Sequence, residues 1–121
     1  MYSEPIHFKR GNTFRRHVHI IDRQTGSPIN VAGYTFWFTV KTEPRKQPDG
    51  EAIFTLDNGA ITRIDEPNGV IEIVIPDSVT KDFDLRAYYC DVQMKVPSTN
   101  DIETPIEFVL LIQPDVTRRT T

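Results

Sequence analysis

The residues of this chain best suited to chemistry are His17 and His19, two imidazoles separated by a single residue. Residues at positions i and i+2 of a β-strand project from the same face, so both rings can reach one metal ion. A zinc site needs a third ligand and usually a fourth, and the only other histidine of the chain is His7. Carboxylates are available, but their spacing selects none of them. We therefore interpret the pair as part of a basic, solvent-facing strand and predict no metal site and no cofactor.

The remaining reactive groups do not form a catalytic pattern. Cys90 is the single cysteine, which excludes an internal disulfide framework. It alternates onto the same face as Val92 and is therefore predicted to be buried, while the neighbouring Asp91 would raise the pKa of its thiol. Acid pairs such as Asp82 and Asp84 fall in turns, whereas glycosidic chemistry needs two carboxylates facing each other across a cleft. Since no nucleophile elbow, phosphate-binding glycine loop or Cys/His cluster is present, we predict no catalytic residue and no enzymatic activity.

The elements that carry these residues are short strands with apolar residues at every second position. In the clearest case, Phe36, Phe38 and Val40 alternate with Trp37, so that Trp37 lies on the opposite face of its strand. The strands predicted in this way are 6–10, 13–22, 29–32, 34–41, 52–56, 60–64, 70–75, 87–96 and 104–112, and residues 76–83 have helical character over a turn or two. Turn signals separate the strands about every 8–12 residues. This pattern predicts an all-β fold, an immunoglobulin-like β-sandwich of seven to nine short antiparallel strands with one short helical turn.

Length and composition indicate one soluble domain. The 121 residues are predicted to form a single β-sandwich, with residues 114–121 as a flexible or interface-docked C-terminal tail. The longest apolar run, around Phe108 to Ile112, is far shorter than the roughly 18 residues that a membrane span requires. The first five residues lack the basic and apolar blocks of a signal peptide. We therefore expect no membrane association and no signal peptide.

The charges of the chain are unevenly distributed along its length. Residues 1–23 contain five basic and two acidic residues, a net charge of +3, whereas residues 49–84 contain nine acidic and two basic residues, a net charge of −7. Such segregation can favour head-to-tail contacts between copies, although a solvated surface would show the same pattern. The overall charge of −3 and a pI near 5.5 argue against a nucleic-acid partner.

Several residues outside the predicted core are of types enriched at protein interfaces. The candidate interface residues are Arg15, His17, His19, Trp37, Tyr89, Gln93, Arg118 and Arg119. Three of them, Arg15, His17 and His19, could join Trp37 and Lys41 in a basic patch with an aromatic side chain, which would suit nucleic acid if the pI were higher. The same aromatic residues also leave open a platform for carbohydrate.

Four short segments, taken in chain order, resemble a family of small phage tail and baseplate domains. They are Phe8-Lys9-Arg10-Gly11-Asn12-Thr13-Phe14, the stretch from Asp22 to Phe36, Tyr88-Tyr89-Cys90-Asp91-Val92-Gln93, and Pro114-Asp115-Val116-Thr117-Arg118. The resemblance extends from about residue 6 to residue 118 and is to the N-terminal domain of baseplate upper proteins. The chain departs from the family at Asn12, where an acid is frequent, and at Cys90, where an aromatic residue is common.

The resemblance implies an immunoglobulin-like sandwich that anchors a receptor-binding or fibre module to a phage particle. Because the chain stops at Thr121, we expect a stand-alone fitting: a non-enzymatic virion structural protein of the tail, baseplate or neck. Its expected partners are other virion proteins and copies of itself, and its expected location is the virion after synthesis in the host cytoplasm. The alternatives are a capsid-decorating protein, a carbohydrate- or ligand-binding module that uses loop 42–49, or a prophage-borne domain with a soluble protein partner.

Overall fold

Eight strands arranged in two sheets account for half of the residues that the computed structural model describes, which are 5–43 and 52–114. The strands are β1 (Ile6–Lys9), β2 (Phe14–His19), β3 (Thr35–Lys41), β4 (Phe54–Leu56), β5 (Thr62–Asp65), β6 (Val70–Ile75), β7 (Ala87–Lys95) and β8 (Ile102–Gln113). One four-residue helix, α1 (Asp77–Thr80), connects β6 to β7, and short 3-10 turns at Asn58–Ala60 and Glu66–Asn68 flank β5.

The two sheets have the strand order of an immunoglobulin-like sandwich. One sheet has five strands in the order β1-β8-β7-β3-β4, and the other has three strands in the order β2-β6-β5. β1 runs parallel to β8, and every other neighbouring pair among these strands is antiparallel. The predicted fold class is confirmed, and the parallel pairing of β1 is the one departure from an all-antiparallel arrangement.

One predicted strand does not form. Residues 29–32 are an irregular segment in which Ile29 donates its backbone N–H to the carbonyl of Ile20, and Val31 donates its own to the carbonyl of Glu66. Val31 is completely buried, so the apolar pattern correctly indicated burial. The segment lacks a neighbouring strand along its length, because its hydrogen bonds go to the ends of β2 and β5. The predicted C-terminal tail lies, apart from Pro114, outside the described residues.

Aromatic side chains connect the two sheets through the core. Phe14 of the three-stranded sheet stacks on Phe108 of the five-stranded sheet with their ring centroids 5.9 Å apart. Phe108 in turn stacks on Phe38 at 6.2 Å, and Phe14 meets Phe8 edge to face at 5.3 Å. Such pairs contribute about 0.5–1.5 kcal/mol each beyond the burial of their surface. This row of rings crosses the sandwich between β1, β2, β8 and β3.

A tyrosine fixes the corner between α1 and β7. The hydroxyl of Tyr88 accepts a hydrogen bond of 2.7 Å from the backbone N–H of Asp84, four residues upstream. Tyr88 precedes Cys90 by two residues, which is the spacing of the tyrosine corner in immunoglobulin-type sandwiches. Cys90 is completely buried and, as the only cysteine, has no disulfide partner within the chain. Cys90 therefore occupies the position of the second cysteine of antibody domains, and it lies opposite Phe108 of the aromatic row.

Arg63 holds together the end of the sandwich at which β3 begins. Its guanidinium donates hydrogen bonds to the carbonyls of Asn58, Ile61 and Tyr34 at 2.9, 2.7 and 3.0 Å. The same group also donates to the side-chain oxygen of Asn58 and lies 4.9 Å above the centre of the Phe36 ring. The side chain of Asn58 accepts a further bond of 2.8 Å from the backbone N–H of Phe36. The turn between β4 and β5 is thereby fixed against β3.

Gly69 sits where the chain enters β6 against the loop that follows β2. Its φ is +69°, a backbone conformation that residues with a Cβ atom rarely adopt. A Cβ added there would lie 2.5 Å from the carbonyl oxygen of Ile29 and 2.7 Å from that of Ile20. Both atoms belong to the backbone, and Ile20 also donates its N–H to the carbonyl of Gly69. A side chain at this position would therefore displace the loop.

We expect Gly69→Ala to lower the free energy of unfolding by more than Gly26→Ala does. Gly26 has a similar φ of +73° but no atom within 4 Å of an added Cβ, so its substitution isolates the backbone cost of about 1–2 kcal/mol. The steric displacement at Gly69 should add about 1–3 kcal/mol to that cost. Urea denaturation of both variants measures the difference, and equal losses would show that the loop accommodates the methyl group without strain.

Candidate interaction faces

The outer face of the five-stranded sheet carries an apolar strip at the centre of the sheet. On β8, Val109 and Leu111 point away from the core, and on β7 Tyr89 and Ala87 lie directly opposite them. Val109 is only 9% exposed although it faces outward, and the other three are half-buried. We call Ala87, Tyr89, Val109 and Leu111 the apolar strip. Outer faces of antiparallel sheets normally alternate to polar residues, so this strip departs from the usual pattern.

A polar row borders the apolar strip across three strands. Asp91 of β7 lies opposite Glu107 of β8 on one side and opposite Thr39 of β3 on the other. Two lysines flank this row on the same face, because Lys41 lies opposite Tyr89 and Lys95 lies one alternation beyond Gln93. The face therefore combines an apolar centre with a border of both charge signs, an arrangement typical of protein interfaces.

A groove of about 320 Å³ lies on the far side of this polar row. Its walls are formed by Trp37, Phe38, Thr39, Thr55, Leu56, Asp57, Gln93 and Ile102. Trp37 and Gln93 are paired neighbours on β3 and β7, which places the indole beside a side-chain amide. Ile102, at the start of β8, is 55% exposed and closes one side of the groove. We refer to this feature as the Trp37 groove.

The outer face of the three-stranded sheet has a different character. Arg15, His17 and His19 project from β2, and Glu72 of β6 lies between the first two. One oxygen of the Glu72 carboxylate is 3.5 Å from Arg15 Nη1, and the other is 3.1 Å from His17 Nε2. Ion pairs as exposed as these contribute about 0–1 kcal/mol. This face is a solvated row of basic groups neutralised in part by one carboxylate.

The structure thus divides the predicted interface residues between two opposite faces. Trp37, Tyr89 and Gln93 lie on the five-stranded sheet, while Arg15, His17 and His19 lie on the three-stranded sheet. Arg118 and Arg119 lie outside the described residues. The basic patch in which Trp37 and Lys41 would join the histidines is wrong, because alternation places those two side chains on the other side of the sandwich.

Sequence reasoning missed three residues that shape these faces. Val109 and Leu111 belong to the apolar stretch of β8, where both faces of the strand are apolar and alternation therefore gives no signal. Glu72 alternates with the buried isoleucines of β6 and gave no signal of its own in the sequence. Only the pairing of β6 with β2 places it beside the basic residues of β2. The apolar residues on both faces of β8 were the available signal, because strands of this kind normally have both faces packed against other structure.

Arg16 protects the free edge of the three-stranded sheet. In the described residues β2 is the edge strand, and Arg16 alternates onto its inner side with Phe14 and Val18. Its guanidinium carbon lies 4.9 Å above the centre of the Phe108 ring. Inward-pointing charges on edge strands discourage pairing with strands of other chains.

A second groove, of about 880 Å³, is lined by residues 19–24, 29, 94 and 103–105.

The acidic stretch of the sequence does not form one acidic region in space. Asp65 and Glu66 lie at the end of the sandwich where β6 begins, whereas Asp77, Asp82 and Asp84 lie beyond the opposite end of that strand. The fold therefore separates the carboxylates that sequence order grouped together.

The described residues contain neither a cluster of metal-binding side chains nor a membrane-spanning helix. Across 5–43 and 52–114, no group of three or more His, Cys, Asp or Glu side chains is arranged to hold a metal ion. In the same part of the chain, no helix is long and apolar enough to span a membrane.

Known proteins match this chain through their structures. No protein-family model matches it, and no curated protein matches it significantly. Among the solved structures similar to it is that of the NK cell receptor Nkp44, described as a triggering partner in natural cytotoxicity. The two are 16% identical over 92% of this chain and 100% of that chain, with a TM-score of 0.48. No statement about the function of this chain follows from that likeness.

The thiol of Cys90 is held in its neutral form. Burial raises its pKa well above the ordinary value, and the negative charge of the adjacent Asp91 raises it further. We therefore expect alkylation of Cys90 by iodoacetamide at pH 8 to be slower in the folded protein than in guanidinium-unfolded chain by on the order of 100-fold or more, because access requires the sandwich to open. Mass spectrometry of timed aliquots measures both rates, and fast labelling of the folded protein would contradict the burial and revive a nucleophilic role.

Proposed function

We propose that this chain is a non-enzymatic bacteriophage virion structural protein, a fitting of the tail, baseplate or neck that assembles through protein–protein contacts. The observation that carries the proposal is the apolar strip on the outer face of the five-stranded sheet. Contiguous apolar surface of this kind usually marks an interaction site in a soluble protein. The resemblance of four ordered segments to phage tail and baseplate domains supports a particle as the place of that interaction.

The composition of the face fits a specific protein contact. Tyr89 supplies a large amphipathic side chain at the centre, where tyrosine is enriched in interfaces. Leu111 supplies apolar area that needs no hydrogen-bond partner, and Val109, only 9% exposed, forms the floor between Leu111 and Tyr89. Asp91 and Lys41 border the strip with opposite charges, and such charges select the partner and its orientation more than they add affinity.

Contact through a sheet face is favoured over contact through a sheet edge. Arg16 points inward on the edge strand β2, which disfavours the addition of a foreign strand there. The other three edge strands among the described residues, β5 of the same sheet and β1 and β4 of the larger sheet, have four, four and three residues and offer few backbone groups for pairing. The expected partners are accordingly other virion proteins or copies of this chain that cover the apolar strip.

A capsid-decorating protein would use the same kind of contact, and the apolar strip supports it equally well. Under either proposal, the position of this chain on the particle depends on which protein covers the apolar strip. Binding of a small ligand or glycan is favoured by a different observation, the Trp37 groove, and is treated below.

We expect Leu111→Lys to weaken assembly by at least about tenfold, since a charge would have to be buried in the contact. Thr62→Lys is the matched control, because Thr62 is exposed on the outer face of the three-stranded sheet, opposite Glu72. Light scattering at low and moderate salt gives the mass of each purified variant, and circular dichroism verifies that both remain folded. Equal masses for the two variants and the parent protein, all monomeric, would remove self-assembly from the proposal.

The virion role has its own test. Quantitative mass spectrometry of particles purified from the source of the sequence should find the chain in fixed stoichiometry with tail or capsid proteins. The incorporation of Leu111→Lys into those particles should fall, while that of Thr62→Lys should not. A chain that is absent from intact particles would overturn the proposal, whatever its mass in solution.

A further inference from the structure

We infer that the Trp37 groove is a binding site for a neutral oligosaccharide. The inference rests on the groove alone and does not depend on the virion role. Its lining combines one indole with side chains that exchange hydrogen bonds, namely Gln93, Thr39, Thr55 and Asp57. These two kinds of group correspond to the two kinds of surface on a pyranose ring, an apolar face of C–H groups and a rim of hydroxyls.

The indole supplies the apolar surface. Trp37 is half-buried on the outer side of the central strand β3, and it is the only tryptophan of the chain. Aromatic rings carry a negative π face that attracts C–H groups, and a large rigid side chain loses little conformational entropy when a ligand stacks on it. Ile102 extends this apolar surface at one side of the groove, whereas Leu56, opposite the buried Phe38, packs against the core.

The polar side chains supply hydroxyl recognition. The amide of Gln93 both donates and accepts, the hydroxyls of Thr39 and Thr55 do the same, and the Asp57 carboxylate accepts from two hydroxyls at once. Asp57 is exposed, and its side chain makes no cap hydrogen bond to the 3-10 turn that follows. Its carboxylate is therefore not used to cap that turn.

The charges of the lining select a neutral ligand. None of the described residues that line the groove is cationic, and Asp57 is the one ionised group among them. A phosphate or an acidic sugar would meet this carboxylate inside the groove, while Lys95, opposite Ile102 on β7, lies outside the lining. A quaternary ammonium ligand is normally held by a cage of several aromatic rings, whereas the outward-facing lining offers a single indole.

The groove is built on fixed elements. Trp37 and Gln93 belong to paired central strands, and the turn that follows Asp57 is held against β3 by the hydrogen bond from the N–H of Phe36 to the side chain of Asn58. Arg63 fixes the same turn through its bonds to Asn58. A ligand would therefore bind to a largely preformed surface, which reduces the entropic cost of binding.

The size and position of the groove distinguish it from the proposed protein interface. At about 320 Å³ it is at the lower end of the usual range for ligand sites and is open on one side. The polar row through Asp91 and Thr39 separates it from the apolar strip. It therefore suits part of a longer sugar chain and is not an extension of the strip.

The test is a fluorescence titration of the full chain, with Trp37 as the reporter. The probes are neutral hexasaccharides (maltohexaose, cellohexaose and chitohexaose), with sialyllactose and choline as charged comparisons. We expect at least one neutral probe to shift the emission of Trp37 to shorter wavelength with a dissociation constant near or below about 1 mM. Isothermal titration calorimetry with the same probe extends the measurement to variants that lack the indole.

Variants assign the binding to the groove. Trp37→Ala should weaken it at least tenfold, and Gln93→Ala and Asp57→Ala should each weaken it several-fold while leaving the core intact. Leu111→Lys, on the same sheet but outside the groove, should bind like the parent protein. In turn, Trp37→Ala should retain the assembly that Leu111→Lys loses, so that failure of either proposal is seen separately.

Three results would overturn the inference. The first is the absence of both a heat signal and an emission change with every neutral probe, at a probe concentration ten times the expected dissociation constant. The second is binding of sialyllactose or choline alone, which would assign the groove to a charged ligand. The third is binding of a neutral probe that Trp37→Ala, Gln93→Ala and Asp57→Ala all leave unchanged.

Discussion

The stacking of Phe14 on Phe108 joins the two sheets of the sandwich, and the other features of the molecule depend on it. Phe14 is the first residue of β2, and Phe108 lies in the middle of β8, so the contact fixes the three-stranded sheet over the centre of the larger one. Phe38 continues the stack toward β3. With a single buried cysteine and no disulfide within the chain, the two sheets are held together by packed side chains and not by a covalent bond.

This core determines which residues are left for contact with other molecules. Once Phe36, Phe38 and Val40 face inward, Trp37 must face outward, because neighbouring residues of a strand project to opposite sides. The same argument applies to β7, where Tyr89 and Gln93 alternate with the buried Cys90 and Val92. The apolar strip and the Trp37 groove are thus the outer counterparts of the aromatic core, held in place by it.

The two outer faces carry different chemistry for a physical reason. The five-stranded sheet has central strands whose outer positions are far from solvent-exposed edges, so Val109 is shielded by its neighbours even without a partner. The three-stranded sheet is narrow, and its edge strand β2 carries charges on both sides, Arg15 and His17 outward and Arg16 inward. A narrow charged sheet remains soluble and resists edge pairing, while the wide sheet offers a flat surface large enough for a partner.

The sequence by itself determined the fold class, most strand positions and the burial of Cys90, since each of these follows from local alternation and turn residues. It also indicated that Trp37, Tyr89 and Gln93 lie outside the core. Tertiary structure alone decided which strands are neighbours, and this placed Trp37 beside Gln93 and Glu72 beside Arg15 and His17. It also placed Asp65 and Glu66 at the opposite end of β6 from Asp77, Asp82 and Asp84. Strand pairing brings together residues up to about a hundred positions apart, such as His7 and Leu111, and no local pattern encodes that choice. The strand that failed to form at 29–32 shows the same limit, because its residues are buried as predicted but have no neighbouring strand with which to pair.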